Sequence, residues 1–454
     1  MTINIPKHAS YIINTLEKHG FEAYIVGGCV RDCILGKTPA DWDITTSARP
    51  EQVKALFPRT IDTGLKHGTV TVMMEKSGYE VTTYRIDGLY EDHRRPNTVI
   101  FTDSLKEDLM RRDFTINAMA YNETRGLIDL FGGMDDLAVR VIRCVGEPAD
   151  RFDEDALRML RAIRFAGQLN FEIDPKTRSA ISLKHAFLKD VSAERIQMEL
   201  LKLLISDHPE ALKEAYLTGL TGVFLPEFDR MMETPQNNPH HIYTVGEHTL
   251  HSVMYIEPNP VLRLAMLLHD IGKPAVKTTD EQGIDHFYNH DQVGCEMSRE
   301  ILKRLKFDNK TIQLVSTLIK HHDIRFRDPK TTGRRHLRKV IHSVGATLFP
   351  YLLKVMNADV SAQSSFLQEK KLAILRETEE VYQEILAARD CLSLKELKIN
   401  GNQLKELGIR EGKMIGAILN TLLSMVLEHP ELNQYEYLKA LALKIYETLL
   451  SGSE

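Results

Sequence analysis

The sequence predicts an α+β protein: a mixed head of strands and helices, followed by an all-helical remainder. Three observations carry that reading. β-Branched and apolar runs of strand length cluster in the first 135 residues, helical periodicity takes over from about residue 150, and prolines interrupt the pattern at Pro226, Pro235, Pro239, Pro258 and Pro260. A chain of 454 residues has room for about two to four domains; the shift in composition marks one boundary near 140, and the prolines a second around 225–240.

Taken in order, Glu-Ala-Tyr-Ile-Val-Gly-Gly at 22–28 reads as a buried strand entering a glycine turn, and Cys29–Leu35 as a short helix stopped by Gly36. Gly27 and Gly28 let backbone N–H groups approach an anion with no Cβ in the way, and the helix start adds a favourable dipole. The turn is therefore a seat for a triphosphate, which Arg31 would help to neutralise. Asp41-Trp42-Asp43 reads as a strand with both carboxylates on one face and Trp42 on the other. Two hard oxygen ligands side by side suit a pair of Mg²⁺ ions, one activating a hydroxyl and one holding the triphosphate. Thr69–Met74, Tyr79–Tyr84 and Val99–Thr102 read as further strands, and Ser104–Arg112 as a helix capped by Ser104. Glu80 is the candidate third carboxylate. The charged, glycine-containing segment Asp87–Pro96 reads as a mobile loop.

A helix is expected to begin near Asp155, with Asp155, Arg158, Arg161 and Arg164 along one polar stripe and Ala156, Leu157, Leu160 and Ile163 opposite. An aspartate only accepts hydrogen bonds and an arginine only donates them. Cytosine and adenine each present an exocyclic amine beside a ring-nitrogen acceptor, whereas uracil and guanine present the reverse order. An Asp155–Arg158 pair on the Watson–Crick edge would therefore admit C and A and reject U and G.

The formal net charge is −5, so any nucleic-acid contact has to come from local basic patches. The strongest basic run is Arg325, Arg327, Lys330, Arg334, Arg335, Arg338 and Lys339, a candidate track for an RNA backbone or a solvated helix edge. Five cysteines without a Cys-x-x-Cys pair suggest neither a disulfide framework nor a zinc ribbon, and a reducing, cytoplasmic setting fits them. No stretch approaches the roughly 20 apolar residues of a membrane span.

Gly27-Gly28-x-x-Arg31-Asp32 followed by Asp41-x-Asp43 resembles the nucleotidyltransferase superfamily that includes DNA polymerase beta. With Tyr79–Arg85, Asp87–Pro96, Arg-Arg-Asp-Phe-Thr-x-Asn-Ala at 111–118 and Glu-Asp-x-x-Arg-x-x-Arg-x-x-Arg-Phe at 154–165, the first 200 or so residues resemble the class II CCA-adding tRNA nucleotidyltransferases. The resemblance implies template-independent addition of CCA to tRNA from CTP and ATP, with Mg²⁺ on Asp41 and Asp43. It assigns base reading to Asp155 and Arg158, and nucleotide contacts to Arg112, Asp113, Arg161 and Arg164. It divides the chain into a catalytic head at 1–138, a helical neck at 139–235, an HD domain at 236–365 and a helical tail at 366–454. The loop at 87–96 argues against a relative that adds only CC. An A-adding relative stays open, as does a bacterial poly(A) polymerase, whose basic-aromatic signature is replaced here by Thr63–Thr69. A non-enzymatic RNA-binding or signalling protein with an inactive head is the remaining alternative.

A second signature lies at 248–323: His248 with His251, His269-Asp270 in Leu-Leu-His-Asp-Ile-Gly-Lys-Pro, His290, and His321-His322-Asp323. It resembles the HD superfamily of metal-dependent phosphohydrolases, which implies a divalent cation held by His248, His269, Asp270 and Asp359. A His-Asp doublet in an apolar helix is hard to explain by packing alone, since a buried carboxylate needs a partner.

Overall fold

The computed structural model describes residues 2–88, 99–331, 333–410 and 412–451, and the chain folds as two compact units, 1–226 and 227–454. Most of the segment read as a mobile loop, Leu89–Pro96, lies outside the described residues.

The first unit is built on a mixed sheet. Its strands are β1 (Ala23–Val26), β2 (Ile44–Thr46), β3 (Thr60–Gly64), β4 (Thr69–Met74) and β5 (Ser77–Thr83); β6 (Arg85–Asp87) and β7 (Val99–Phe101) form a separate ribbon; β8 (Met119–Asn122) and β9 (Gly126–Asp129) complete the sheet. The seven strands run in the order β3-β4-β5-β2-β1-β8-β9, and all neighbours are antiparallel except β2 and β5. Every side chain of β1 is buried, as its unbroken apolar run requires of a central strand. The strand read as starting at Asp41 begins instead at Ile44, although Val26 N–H still donates to the Asp43 carbonyl at 3.0 Å. Asp41-Trp42-Asp43 thus leads into β2 ahead of its ladder, with Asp41 exposed and Asp43 half-buried.

The helix expected from Asp155 starts later, at Leu157, and runs to Leu169; Asp155 ends the preceding helix, Pro148–Glu154, in an extended conformation. The Leu157–Leu169 helix packs against Ala193–Leu204. It is buried on nearly every side, Arg158 and Arg164 included, so its arginines do not form a solvated stripe.

The second unit is helical. Val245–Met254, Pro260–Leu268, His290–Arg304, Asn309–His321 and Phe349–Ser361 pack around a common core, followed by Gln368–Ala387, Lys413–Glu428 and Tyr435–Ser451. Thr244, Asn259 and Asp308 cap three of these helices by accepting backbone N–H groups. Gly272 lets the turn after Asp270 press against His290–Arg304: a Cβ there would lie 2.6 Å from the Gly294 nitrogen. No helix among the described residues is long and apolar enough to cross a membrane.

Candidate nucleotide site and histidine-aspartate centre

Gly27 closes β1 at φ +81°, a conformation that favours glycine, and a Cβ there would lie 3.1 Å from Arg112 Nη1. The glycine turn therefore lies against a guanidinium. Ile44 pairs with Val81 in the parallel β2–β5 ladder, so Asp43 and Glu80 stand beside each other in register. Burial, then the charge of Asp41 and further Glu80, push the Asp43 carboxyl up to about 6, against the pull of Arg112. The predicted acidic set is thus one electrostatic neighbourhood. Among the described residues, its three carboxylates are not drawn into a group with ligand atoms within 4.8 Å of one another.

The arginines and acids of the two motifs are engaged with one another. Asp113 accepts from Arg161 Nε at 2.8 Å and Nη2 at 2.6 Å, from its neighbour's N–H at Phe114 and from Asn117. Burial alone would raise its pKa; the Arg161 guanidinium instead holds it well below the usual carboxylate range. The side chains of Asp155 and Arg158 each engage other groups. With Asp155 outside the helix, its carboxylate caps Leu157 N–H at 3.1 Å and accepts from Arg195 at 2.7 Å, while Arg158 donates to Glu154 at 2.6 Å and to the Arg111 carbonyl at 2.8 Å. Arg31 donates to Asn117 and Asp32, and Arg164 to Glu199 and Gln168. Arg31, Arg161 and Arg164 all lie over the Phe165 ring, at 5.1, 5.4 and 3.9 Å from its centre. Arg111 and Arg112 both reach the buried Asp108. Arg195 and Glu199 lie outside the motifs singled out from the sequence, whereas Asn117 and Phe165 stand within those at 111–118 and 154–165 without a role assigned to them. Glu199 carried a signal, an acid inside the apolar stripe Ile196, Leu200, Leu203.

In the second unit the four predicted ligands converge, joined by two more. His248 Nε2 lies 2.8 Å from Asp359 Oδ1 and 3.8 Å from Asp270 Oδ2; His269 Nε2 lies 3.2 Å from Asp270 Oδ2 and 3.8 Å from Asp359 Oδ1. His290 and His322, whose Nε2 atoms are 3.2 Å apart, approach the other Asp270 oxygen at 3.6 and 3.7 Å. Asp270 therefore joins two groups, one with His248, His269 and Asp359 around it and one with His290 and His322. His290 and His322 belonged to the sequence pattern but not to the predicted ligand set. His269 Nε2 is fully buried, and the acceptors it faces are the carboxylates of Asp270 and Asp359. Burial would lower its pKa, but Asp270 and Asp359 push it up to about 10. An imidazole nitrogen buried among carboxylates that favour positive charge at its position belongs to a donor set that fits a cation.

Three family matches span this architecture: the Poly A polymerase head domain at residues 23–143, the Probable RNA and SrmB-binding site of polymerase A at 170–232, and the HD domain at 240–361. A CCA-adding enzyme of Levilactobacillus brevis is 52% identical over 218 residues, 48% of this chain and 55% of that protein. One of Enterococcus faecalis is 54% identical over 199 residues, 44% of this chain and 49% of that protein. The chain thus spans about half the length of these curated relatives. Among solved structures, the Bacillus stearothermophilus CCA-adding enzyme in complex with CTP matches with a TM-score of 0.74 and 31% identity, covering 98% of both chains. The chain belongs to the CCA-adding enzyme family. Within that family's fold, the Asp41, Asp43 and Glu80 neighbourhood lies in the Poly A polymerase head match, and the histidine-aspartate centre in the HD match.

Proposed function

We propose that this chain is a tRNA nucleotidyltransferase that builds CCA on tRNA 3′ ends from CTP and ATP. The observation that carries the reading is the register of Asp43 beside Glu80, with Asp41 raising the same local negative charge. Asp41 and Asp43, with Glu80, would hold Mg²⁺, which neutralises triphosphate charge and favours the attacking hydroxylate when bound. The gathered negative charge fits that role. Gly28 and Arg31 would cradle the phosphates, and Arg112, beside the Gly27 turn, would add positive charge. Base selection falls to Asp155 and Arg158 once nucleotide competes for their present partners, Arg195 and Glu154. Arg161, Arg164 and Asp113 form the wall behind them. Support comes from the CCA-adding relatives and from the CTP complex of the B. stearothermophilus enzyme. The proposed parts are a head at 1–138, a neck at 139–235, an HD domain at 236–365 and a tail at 366–454, each family match falling largely within one of them. We place the protein in the cytoplasm, where its five free thiols stay reduced.

The test is incorporation of each nucleotide into tRNA. Asp41→Ala/Asp43→Ala should lower the rate by at least about a hundredfold, and Glu80→Gln should lower it measurably. Asp155→Ala should lose preference for C and A over U and G. Full activity in the double variant, or unchanged selectivity in Asp155→Ala, would contradict the proposal.

A second reading has its own observation. The buried convergence of His248, His269, Asp270 and Asp359 favours a divalent cation on these four, with His290 and His322 available to a further one.

A further inference from the structure

We propose that Phe165 is a positioning residue for nucleotide binding: its ring gathers the guanidiniums of Arg31, Arg161 and Arg164 into the arrangement that a nucleotide meets. The inference rests on the proposed transferase reading, which gives Arg31 to the phosphates and Arg161 and Arg164 to the wall behind the base-reading pair. The three guanidinium carbons lie 5.1, 5.4 and 3.9 Å from the ring centre, all inside the roughly 6 Å at which a ring face attracts a cation. An aliphatic side chain in the same place would do nothing to offset the repulsion among three cations.

The ring sits where two elements meet. Phe165 and Arg161 are one turn apart on the helix Leu157–Leu169, so their side chains share a face, and Arg164 immediately precedes the ring. Arg31 arrives from the separate helix Gly28–Ile34, which follows the glycine turn. Phe165 is 5% exposed, and Phe114 holds it edge-on with ring centres 5.7 Å apart and planes at 83°. The ring is therefore fixed and largely out of water, where its attraction for a cation is strongest.

Hydrogen bonds join the same groups at their edges. Arg31 Nη1 donates to Asn117 Oδ1 at 2.7 Å, Asn117 Nδ2 donates to Asp113 Oδ1 at 3.1 Å, and the other Asp113 oxygen accepts from Arg161. Phe165 closes that path from Arg161 back to Arg31. A guanidinium donates in its plane and stacks on its face, so the acids and the ring do not compete for the same surface. The acids alone leave the cluster crowded. Glu199 pairs with Arg161 at 3.8 Å and with Arg164, yet the Arg164 pKa lies below its ordinary value: burial lowers it, Glu199 opposes, and Arg161 adds to the lowering. A neutral ring steadies such a cation without adding a negative charge that would repel a triphosphate.

The experiment measures steady-state incorporation of CTP and ATP into tRNA by the full chain, comparing wild type, Phe165→Leu, and chains in which Phe165 is replaced by monofluoro- or trifluorophenylalanine. Fluorination keeps the shape of the ring while stripping negative potential from its faces, so packing is held and the attraction for cations is removed. Phe165→Leu should raise KM for both nucleotides about tenfold, with kcat lowered much less. Trifluorophenylalanine should raise KM about fivefold, and the monofluorinated ring should fall between it and the wild type. Preference for C and A over U and G should be retained, because the base edge is read by Asp155 and Arg158. If Phe165→Leu does not fold, the fluorinated pair decides. A wild-type KM in the trifluorophenylalanine chain would reduce the ring to packing and overturn the proposal, as would an unchanged KM in Phe165→Leu or a kcat that falls as far as kcat/KM. A wild type that incorporates neither nucleotide would overturn the transferase reading and this inference with it; a wild type that incorporates both, beside any of the preceding results, removes the role of Phe165 alone.

Discussion

At the scale of single residues, the buried Asp113–Arg161 pair makes a pH prediction. The native pKa of Asp113 lies below its ordinary value of 3.8, so the pair contributes stability above that pH and loses it as the pH falls toward the native pKa. Asp113→Asn should therefore melt well below the wild type at pH 7, and the gap should shrink as the pH is lowered below about 4. Thermal unfolding at a series of pH values checks it; a gap independent of pH would remove the ion pair from the account. Gly27, Gly28, Asp41 and Asp43 announce themselves by type and spacing, whereas Arg112 and Asp113 were picked out only through the family resemblance. The partners of the site residues were not legible. Arg195 meets Asp155 across 40 residues of chain, and local spacing carries no information about a contact that only tertiary packing creates.

At the scale of elements, the helix Leu157–Leu169 and its neighbour Ala193–Leu204 share a buried charge cluster. Glu199 is 4% exposed and pairs with Arg164, so Glu199→Ala leaves a buried guanidinium without its carboxylate. We expect a loss of about 3 kcal/mol in urea unfolding, with the head motifs intact in sequence yet nucleotide affinity reduced. A loss under about 0.5 kcal/mol, the scale of an ordinary surface change, would contradict that placement. The elements themselves were readable where local rules govern. Thr69–Met74 matches its expected bounds, and Ser104 caps its helix by accepting from Glu107 N–H. Two of the misplaced boundaries, at Asp41 and Asp155, share a cause: periodicity extends a pattern through charged residues that the fold leaves outside the regular ladder or turn.

At the scale of the whole molecule, each of the two units carries its own chemistry, and the change from strand-rich to helical sequence was visible in composition alone. The basic run at 325–339 was less legible, since most of its charge is answered by acids 50 to 89 residues away. If the HD cluster holds a cation, dialysis against a chelator should lower the unfolding temperature of the full chain and return of divalent metal should restore it, because binding to the native state alone adds stability. An unfolding temperature indifferent to both treatments would argue for a scaffold without metal. The central claim, CCA addition, is tested most directly with tRNA lacking one, two or three 3′ nucleotides, given CTP, ATP or both, and products resolved to a single nucleotide. The account predicts two C residues from CTP on the shortest substrate, CCA from both, and no growth beyond it. Addition confined to the substrate lacking only A, or an unbounded A tail, would contradict it.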